Sequence, residues 1–435
     1  MRAGRVSSRL AERFPLLAAF AFPTYRRVWT ASFVSQLGDW MQIYGRGVLA
    51  LELTGKASAV GVIYFATYLP QLLLSFWSGV VADRFDRRRV MLLSLGGQAA
   101  GAAVIAALVA SDTATLLNVA VVSFVQGFFF VLMIPAGQAL LPALVPPSAL
   151  HSAISFGTAT NSVTRVGGPL LGAAITVVLG LDWVFFVNAL TFLGIIGVWW
   201  TTVVPRQPPL VEHRNRDAIG AALRLVRSTP AIWVPIAIAT FLSSIGILYQ
   251  PLSIVFSTEV LANGDEALGQ TRNGLFQAAI GIGAAVGIVG LADLGRRRPA
   301  FTLWASGIAF GLFLALLGWN EIVPVALVLA FVVGACQFGN MTLAMTIVQH
   351  EVPDAMRGRV MSVMMLGLIG FVPIVSLAGG ALADAVGVGT VIFVTGVACF
   401  AFSVVTLGWR RHIPTELGAR SDDTIAAIGV LEEEG

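Results

Sequence analysis

The chain has 435 residues, 57% of them hydrophobic and only 11% charged, with a mean hydropathy of +0.84. Soluble domains carry about a quarter charged residues, so this composition excludes a soluble globule. The net charge of +4 and the pI near 9.5 come from arginines scattered among short loops, not from an aromatic-interleaved basic patch, which argues against nucleic-acid binding.

In chain order, a basic leader (1–27) precedes apolar runs near 28–53, 58–82, 89–110, 114–145, 151–180 and 183–204. A polar linker at 205–230 opens with Pro205, Pro208 and Pro209, and its 217–227 stretch reads as an amphipathic surface helix. Six more runs follow near 231–260, 271–293, 299–318, 321–350, 357–386 and 388–409, and a tail occupies 410–435. Runs of about 20 apolar residues match a bilayer core, where each backbone amide must find its partner inside the helix. The expected fold is an all-α membrane protein of twelve transmembrane helices in two six-helix bundles, 28–204 and 231–409.

Arginine fixes the expected orientation. The leader carries Arg2, Arg5, Arg9, Arg13, Arg26 and Arg27, and the second connection Arg84, Arg87, Arg88 and Arg89. The linker carries Arg206, Arg214, Arg216, Arg224 and Arg227, and later even-numbered connections carry Arg296 to Arg298, Arg357 and Arg359. The tail adds Arg410, Arg411 and Arg420, whereas the intervening loops hold only Lys56 and Arg272. By the positive-inside rule both termini are cytoplasmic, in a bacterial-type inner membrane. Ala19-Phe20-Ala21 has the look of a signal-cleavage site, but Arg26, Arg27 and another long span follow at once, so no cleavage is expected. The acidic tail segment 421–435 reads as disordered.

The halves resemble each other. Val145-Pro146-Pro147 through Ser155 aligns with Val352-Pro353-Asp354 through Ser362, Gly172 aligns with Gly379, and the Asp83 loop aligns with Asp293 at nearly the same offset. Parallel six-helix repeats joined by a polar linker are a recurring plan for secondary transporters.

The second connection reads Gly79-Val80-Val81-Ala82-Asp83-Arg84-Phe85-Asp86-Arg87-Arg88-Arg89. It resembles the loop signature of the major facilitator superfamily, Gly-x-x-x-Asp-Arg-x-Gly-Arg-Arg, with Asp86 where the family usually has glycine. The resemblance implies a cytoplasmic gate built from Gly79, Asp83, Arg84, Arg87 and Arg88, with the start of the eleventh helix, here 353–359, as its partner. In the fifth span Gly168-Pro169-Leu170-Leu171-Gly172 resembles the core of the antiporter motif of exporting branches, although Thr164 stands where the full motif has an upstream glycine. Ser35-Gln36-Leu37-Gly38-Asp39-Trp40, Leu141-Pro142-Ala143-Leu144-Val145-Pro146 and Arg357-Gly358-Arg359-Val360-Met361-Ser362 extend the match. Together they resemble the third drug:proton antiporter branch, which includes macrolide efflux proteins and enterobactin exporters. The resemblance covers about residues 24–410.

Asp39 lies about eleven residues into the first span, roughly 16 Å deep at 1.5 Å per residue. Arg165 has comparable depth in the fifth span, and Arg46 is two turns beyond Asp39 on the same face. A mid-bilayer charge costs at least ~2.5–3.5 kcal/mol, so these groups should face the interior and have partners. Two readings fit Asp39: a proton carrier poised between desolvation and a neighbouring arginine, or one half of a static ion pair. The first is preferred, with Arg46 and Arg165 as counter-ions because guanidinium does not deprotonate. Glu52 and Glu259 fall near outer ends and are expected to be solvated. The resemblance places helices 1, 4, 7 and 10 around a central cavity, which nominates Gln126, Gln138, Tyr249, Gln250, Gln337 and Asn340 as polar substrate contacts. Each of them could equally be an interhelical hydrogen bond. Phe128, Phe129, Phe130 and Phe338 would add an adaptable apolar wall.

Nucleotide and metal chemistry find no support. Lys56 is the only lysine, and Gly55-Lys56-Ala57 lacks the rest of a phosphate loop. Gly281-Ile282-Gly283 with Gly287 lies inside an apolar run and, like Gly97 and Gly101, reads as helix packing. His350-Glu351 has no second histidine at zinc spacing, and Cys336 and Cys399 read as small buried residues. The expectation is a non-enzymatic, cofactor-free and metal-free monomer. It would export a hydrophobic or amphipathic molecule (a drug, macrolide or siderophore) in exchange for protons. Import of a metabolite, and sensing on a transporter fold, are the alternatives.

Overall fold

The computed structural model describes residues 15–202, 216–413 and 416, apart from a few side chains within helices. The leader arginines Arg2, Arg5, Arg9 and Arg13, most of the linker and the acidic tail lie outside the described residues. Within them the chain is helical, with no strand.

A short 3₁₀ turn, Pro15–Ala21, leads into α1 (Pro23–Thr54), α2 (Ala57–Arg84), α3 (Arg87–Ala110), α4 (Leu116–Leu140), α5 (Pro147–Leu179) and α6 (Leu181–Thr201). Ala19 and Phe20, from the leader stretch with the appearance of a cleavage site, are packed inward. The Ala19 N–H donates to Ser152 Oγ at 3.2 Å, and the Phe20 ring meets Tyr25, Trp29 and Phe156 edge-on. The linker helix is α7 (Arg216–Ser228). The second set is α8 (Pro230–Ser244), α9 (Glu266–Arg297), α10 (Pro299–Gly318), α11 (Val323–Glu351), α12 (Asp354–Gly370), α13 (Val372–Val386) and α14 (Val388–Val405).

Local chemistry sets the helix ends. Proline opens α1, α8 and α10, where its missing N–H costs nothing. Asp86, the departure from the loop signature, is the N-cap of α3: its carboxylate accepts from the Arg89 N–H at 2.9 Å. Thr115 and Asn118 form a capping box on α4, and Asp265 caps α9 at 2.9 Å from the Leu268 N–H. Gly180, between α5 and α6, and Gly387, between α13 and α14, have φ of +110° and +85°. They stand at the same sequence offset as Gly172 and Gly379, so the repeat extends to a turn that needs glycine in both halves.

Two runs that read as single spans are broken. The seventh ends its helix at Ser244 and continues through a 3₁₀ turn (Gly246–Tyr249), a short helix (Ser253–Phe256) and a π turn (Ser257–Leu261). Pro251 cannot donate to the preceding turn, and its ring crowds the carbonyl four residues back. The eleventh breaks between Gly370 and Val372, just before Pro373, for the same reason. Among the described residues, eleven helical segments are long and apolar enough to cross a membrane. Helix α1, 32 residues long, spans equally but carries Asp39 and Arg46 in its middle. Large side chains such as Leu117, Val178, Val289 and Val405 project outward as a lipid-facing surface demands, with Trp200 and Trp319 exposed near helix ends.

The chain divides into two compact units, Met1–Gly55 with Val62–Val211, and Lys56–Gly61 with Glu212–Gly435. In the first, α1 packs on α5 and α6, and α3 packs on α4 and α6. The second repeats this pattern, with α8 on α12 and α10 on α11 and α14, and in it α9 packs closely on α11. Gly283 and Gly287 allow that pair to meet backbone to backbone, since a Cβ on either would collide with the carbonyl of Phe331 or Ala335. The glycine-rich run is therefore a packing seam. Cys336 and Cys399 are unoxidised, half-buried and buried respectively.

Candidate functional site

The first unit holds a polar cluster built mainly from α1. Asp39, Gln42 and Arg46 are spaced three and four residues apart, so they lie on one helical face. Gln42, Arg46, Gln126 of α4 and Asn188 of α6 are all at most 6% exposed. Their polar atoms must therefore bond to each other. Asn188 Nδ2 donates to Gln42 Oε1 at 2.5 Å, and Gln42 Nε2 donates to Gln126 Oε1 at 2.9 Å. Arg46 also donates to Gln126 Oε1 and reaches Thr67 Oγ1 of α2 at 3.4 Å. Gln126 in turn donates to the Gln98 carbonyl of α3 at 2.8 Å. Five helices thus share one network. Turned through 180°, the Gln42 amide would instead present its oxygen to Arg46.

Asp39 joins this network at its edge. Its carboxylate stands beside Asn188 and within electrostatic range of Arg46. Asp39 itself is only partly buried, unlike the groups behind it. Tyr64 and Tyr68 of α2, with rings 6.0 Å apart, stand within electrostatic range of Arg46. Arg165 of α5 lies over the Trp40 ring, 4.5 Å from its centroid, and within electrostatic range of Tyr68.

Small residues make the convergence possible. A side chain at Gly38 would strike Asn188 and Thr191, and one at Gly101 would displace Gln126. Gly168 and Gly172, from the antiporter-like motif, bring α5 against α1. A Cβ at Gly172 would sit 2.9 Å from the Tyr44 ring, and one at Gly168 would strike Trp40 and stand 3.0 Å from the Leu37 carbonyl. Pro169 between them is buried. The motif therefore sets the closeness of the helix that carries Asp39 to the helix that carries Arg165.

The remaining nominated residues are spread more widely. In the second unit Tyr249 donates to Gln337 Oε1 at 2.6 Å and accepts from Gln250 at 3.3 Å. Asn340 is directed elsewhere, donating to the Leu303 carbonyl at 2.7 Å and Ser306 Oγ at 2.9 Å of α10. Gln138 is exposed. Phe128 is outward-facing and Phe338 buried, while Phe129 packs over Gly97. Of the loop signature, the surroundings of Gly79 and the side chain of Asp83 lie outside what is described. Arg84 is exposed, and Arg87 is half-buried at the first turn of α3. Arg88 donates to the carbonyls of Trp199 at 3.0 Å and Trp200 at 2.5 Å, tying the start of α3 to the end of α6. No cluster of three or more His, Cys, Asp or Glu suited to a metal occurs among the described residues.

Reading by helix number missed Gln42, Gln98 and Asn188. A signal was present: Asn188 is the one amide in the very apolar α6, and Gln42 shares the face of Asp39 and Arg46.

Comparison with known proteins follows the same lines. The family model described as Major Facilitator Superfamily matches residues 28–372 and 291–427. The chain is 25% identical over 343 residues to the enterobactin exporter EntS of Citrobacter koseri, covering 78% of this chain and 80% of that one. It is 22% identical to the staphyloferrin A transporter of Staphylococcus aureus, covering 89% and 96% respectively. Among solved structures, a bacterial homologue of the iron transporter ferroportin in an inward-facing state superposes with a TM-score of 0.69 at 18% identity, over 89% of this chain and 98% of that one. The nucleoside transporter NupG superposes with a TM-score of 0.70 at 14% identity, over 89% and 99%. Both structural likenesses concern the fold.

Proposed function

For this chain, which belongs to the Major Facilitator Superfamily, we propose proton-coupled export of a hydrophobic or amphipathic small molecule by alternating access. Membership makes it a multi-pass membrane transporter. The observation that supports the coupling is the placement of Asp39, a partly accessible carboxylate beside Asn188 at the edge of a buried network that includes Arg46. The leaning toward siderophores comes from relatives named as an enterobactin exporter and a staphyloferrin A transporter, at identities of 25% and 22%.

The coupling follows from charge balance. Ionised, Asp39 offsets the Arg46 guanidinium, which lowers the cost of holding both in a low-dielectric interior. A proton on Asp39 removes that offset and leaves Arg46 to Gln126, Thr67 or a polar group of the substrate. Asn188, beside Asp39, hydrogen-bonds Gln42, and Gln42 hydrogen-bonds Gln126, so the network connects α6 through α1 to α4. Arg165, stacked on Trp40, holds a second cation beside the same segment of α1. Substrate and proton then compete for one set of partners, which is the condition for exchange. The orientation follows from the arginine count, with both termini cytoplasmic in an inner membrane.

The test is efflux from energised inside-out vesicles, using a fluorescent lipophilic cation, a macrolide and a catecholate siderophore. Wild type should concentrate at least one of them against its gradient, and Asp39→Asn should only equilibrate it. Equal pumping by both proteins would remove Asp39 from the mechanism. Substrate movement in the opposite direction would favour the importer reading.

A further inference from the structure

Asp384 has no place in the network above, and neither its loop nor its span drew attention to it. It lies near the end of α13, and its carboxylate is seated on the first turn of α2. Oδ1 accepts from the Ala57 N–H at 2.7 Å and Oδ2 from the Ser58 N–H at 3.2 Å. Those are helix-start donors with no intrahelical partner, and a carboxylate there is favoured by hydrogen bonding and by the helix dipole. The backbones around this cap are in direct contact. A Cβ at Gly61 would stand 2.6 Å from the Ser376 carbonyl oxygen, and one at Gly380 would stand 2.7 Å from the Ala57 carbonyl oxygen. Ser376, at this contact, is 1% exposed. The consequence shows in how the chain divides. Residues Lys56–Gly61 belong to the second unit, although α2 continues as part of the first from Val62.

We propose that Asp384 is a gating residue of the transport cycle. It pins the first turn of α2 against α13, and it must release that turn when the path on this side opens. The inference rests on the alternating-access reading, and the arginine count puts this end of the helices on the outer face. The construction suits a latch. Two glycines allow backbone contact without interlocking side chains, so the surfaces can part cleanly. The two hydrogen bonds are exposed enough for water to replace them. Glu259, at the π turn of the seventh span, is close enough to feel the Asp384 charge, so a second carboxylate stands beside the one that must let go.

The test reads the seam itself and uses neither substrate nor proton gradient, so its failure is separable from that of the export reading. In a background with Cys336 and Cys399 replaced by serine, S376C is labelled with a bulky polar maleimide in nanodiscs, where both faces are accessible. D384A should raise the labelling rate about tenfold. D384N should raise it less, because an amide oxygen still accepts one N–H. G380V, which wedges a side chain into the seam and leaves the carboxylate intact, should also raise it. An unchanged rate in a D384A protein that elutes and melts like its parent overturns the proposal. If D384A fails to fold, D384N decides instead, because its amide oxygen keeps one acceptor for the helix start: a raised labelling rate supports the latch, and an unchanged rate overturns it.

Discussion

The polar interiors of the two units are built differently. The first places a carboxylate and a guanidinium, Asp39 and Arg46, beside the amides of Gln42, Gln126 and Asn188, with a second guanidinium, Arg165, over the Trp40 ring. In the second the groups along the middle of α11 and its neighbours are neutral, Tyr249 with Gln337 and Gln250, and separately Asn340 with Ser306, and the buried carboxylate, Glu351, lies at the end of α11. The same helix pairings recur in both units, so the contrast lies in chemistry and not in architecture. A neutral network can order helices and line a path, but it has nothing to titrate at ordinary pH. The account therefore assigns the proton to the first half and packing or substrate contact to the second.

The sharpest break in the comparison should come from Arg46. Arg46→Leu removes one of the two donors to Gln126 Oε1 and leaves Asp39 without its counter-charge, and a carboxylate that loses its counter-charge in a low-dielectric interior costs about 3–5 kcal/mol. Transport should vanish and thermal unfolding in detergent should fall by many degrees. Gln126→Leu should come next, at about 1–3 kcal/mol, because the Arg46 guanidinium and the Gln98 carbonyl both lose a buried partner. Its counterpart in the second unit, Gln337→Leu, removes one neutral bond from Tyr249 and should cost about 1 kcal/mol. The two should also differ in kind: Gln126→Leu should alter the pH dependence of transport, whereas Gln337→Leu should leave its shape unchanged. A shifted pH profile in Gln337→Leu would break the assignment of the proton to one half. The smallest effect belongs to a helix end, where Asp86→Ala should cost about 1 kcal/mol of stability and leave the pH profile alone.

Much of the fold was legible because a bilayer imposes one rule on every span. Apolar runs and arginine-bearing loops marked twelve segments, and observed boundaries differ from the expected ones by a few residues. Where helices break was less visible. Pro251 and Pro373 sit in runs whose hydropathy is uninterrupted, and proline in a membrane helix can bend it or end it depending on what takes up the freed carbonyls. The site was legible by half. Asp39, Arg46 and Arg165 stand out because charge at that depth is costly, and Gln126 was nominated by its helix. Gln42, Gln98 and Asn188 were passed over because a single amide among apolar residues carries little weight until its partners on other helices are known. Asp384 was hidden for a different reason: its partners are two backbone N–H groups, which any sequence would supply.

Proton movement tied to substrate movement tests the central claim most directly. Purified protein in liposomes holding an internal pH dye would receive, from the side that binds substrate, each compound that wild type transports. The account predicts a substrate-dependent proton flux opposite in direction to the substrate in wild type and in Gln337→Leu, and none in Asp39→Asn. An undiminished flux in Asp39→Asn would contradict it.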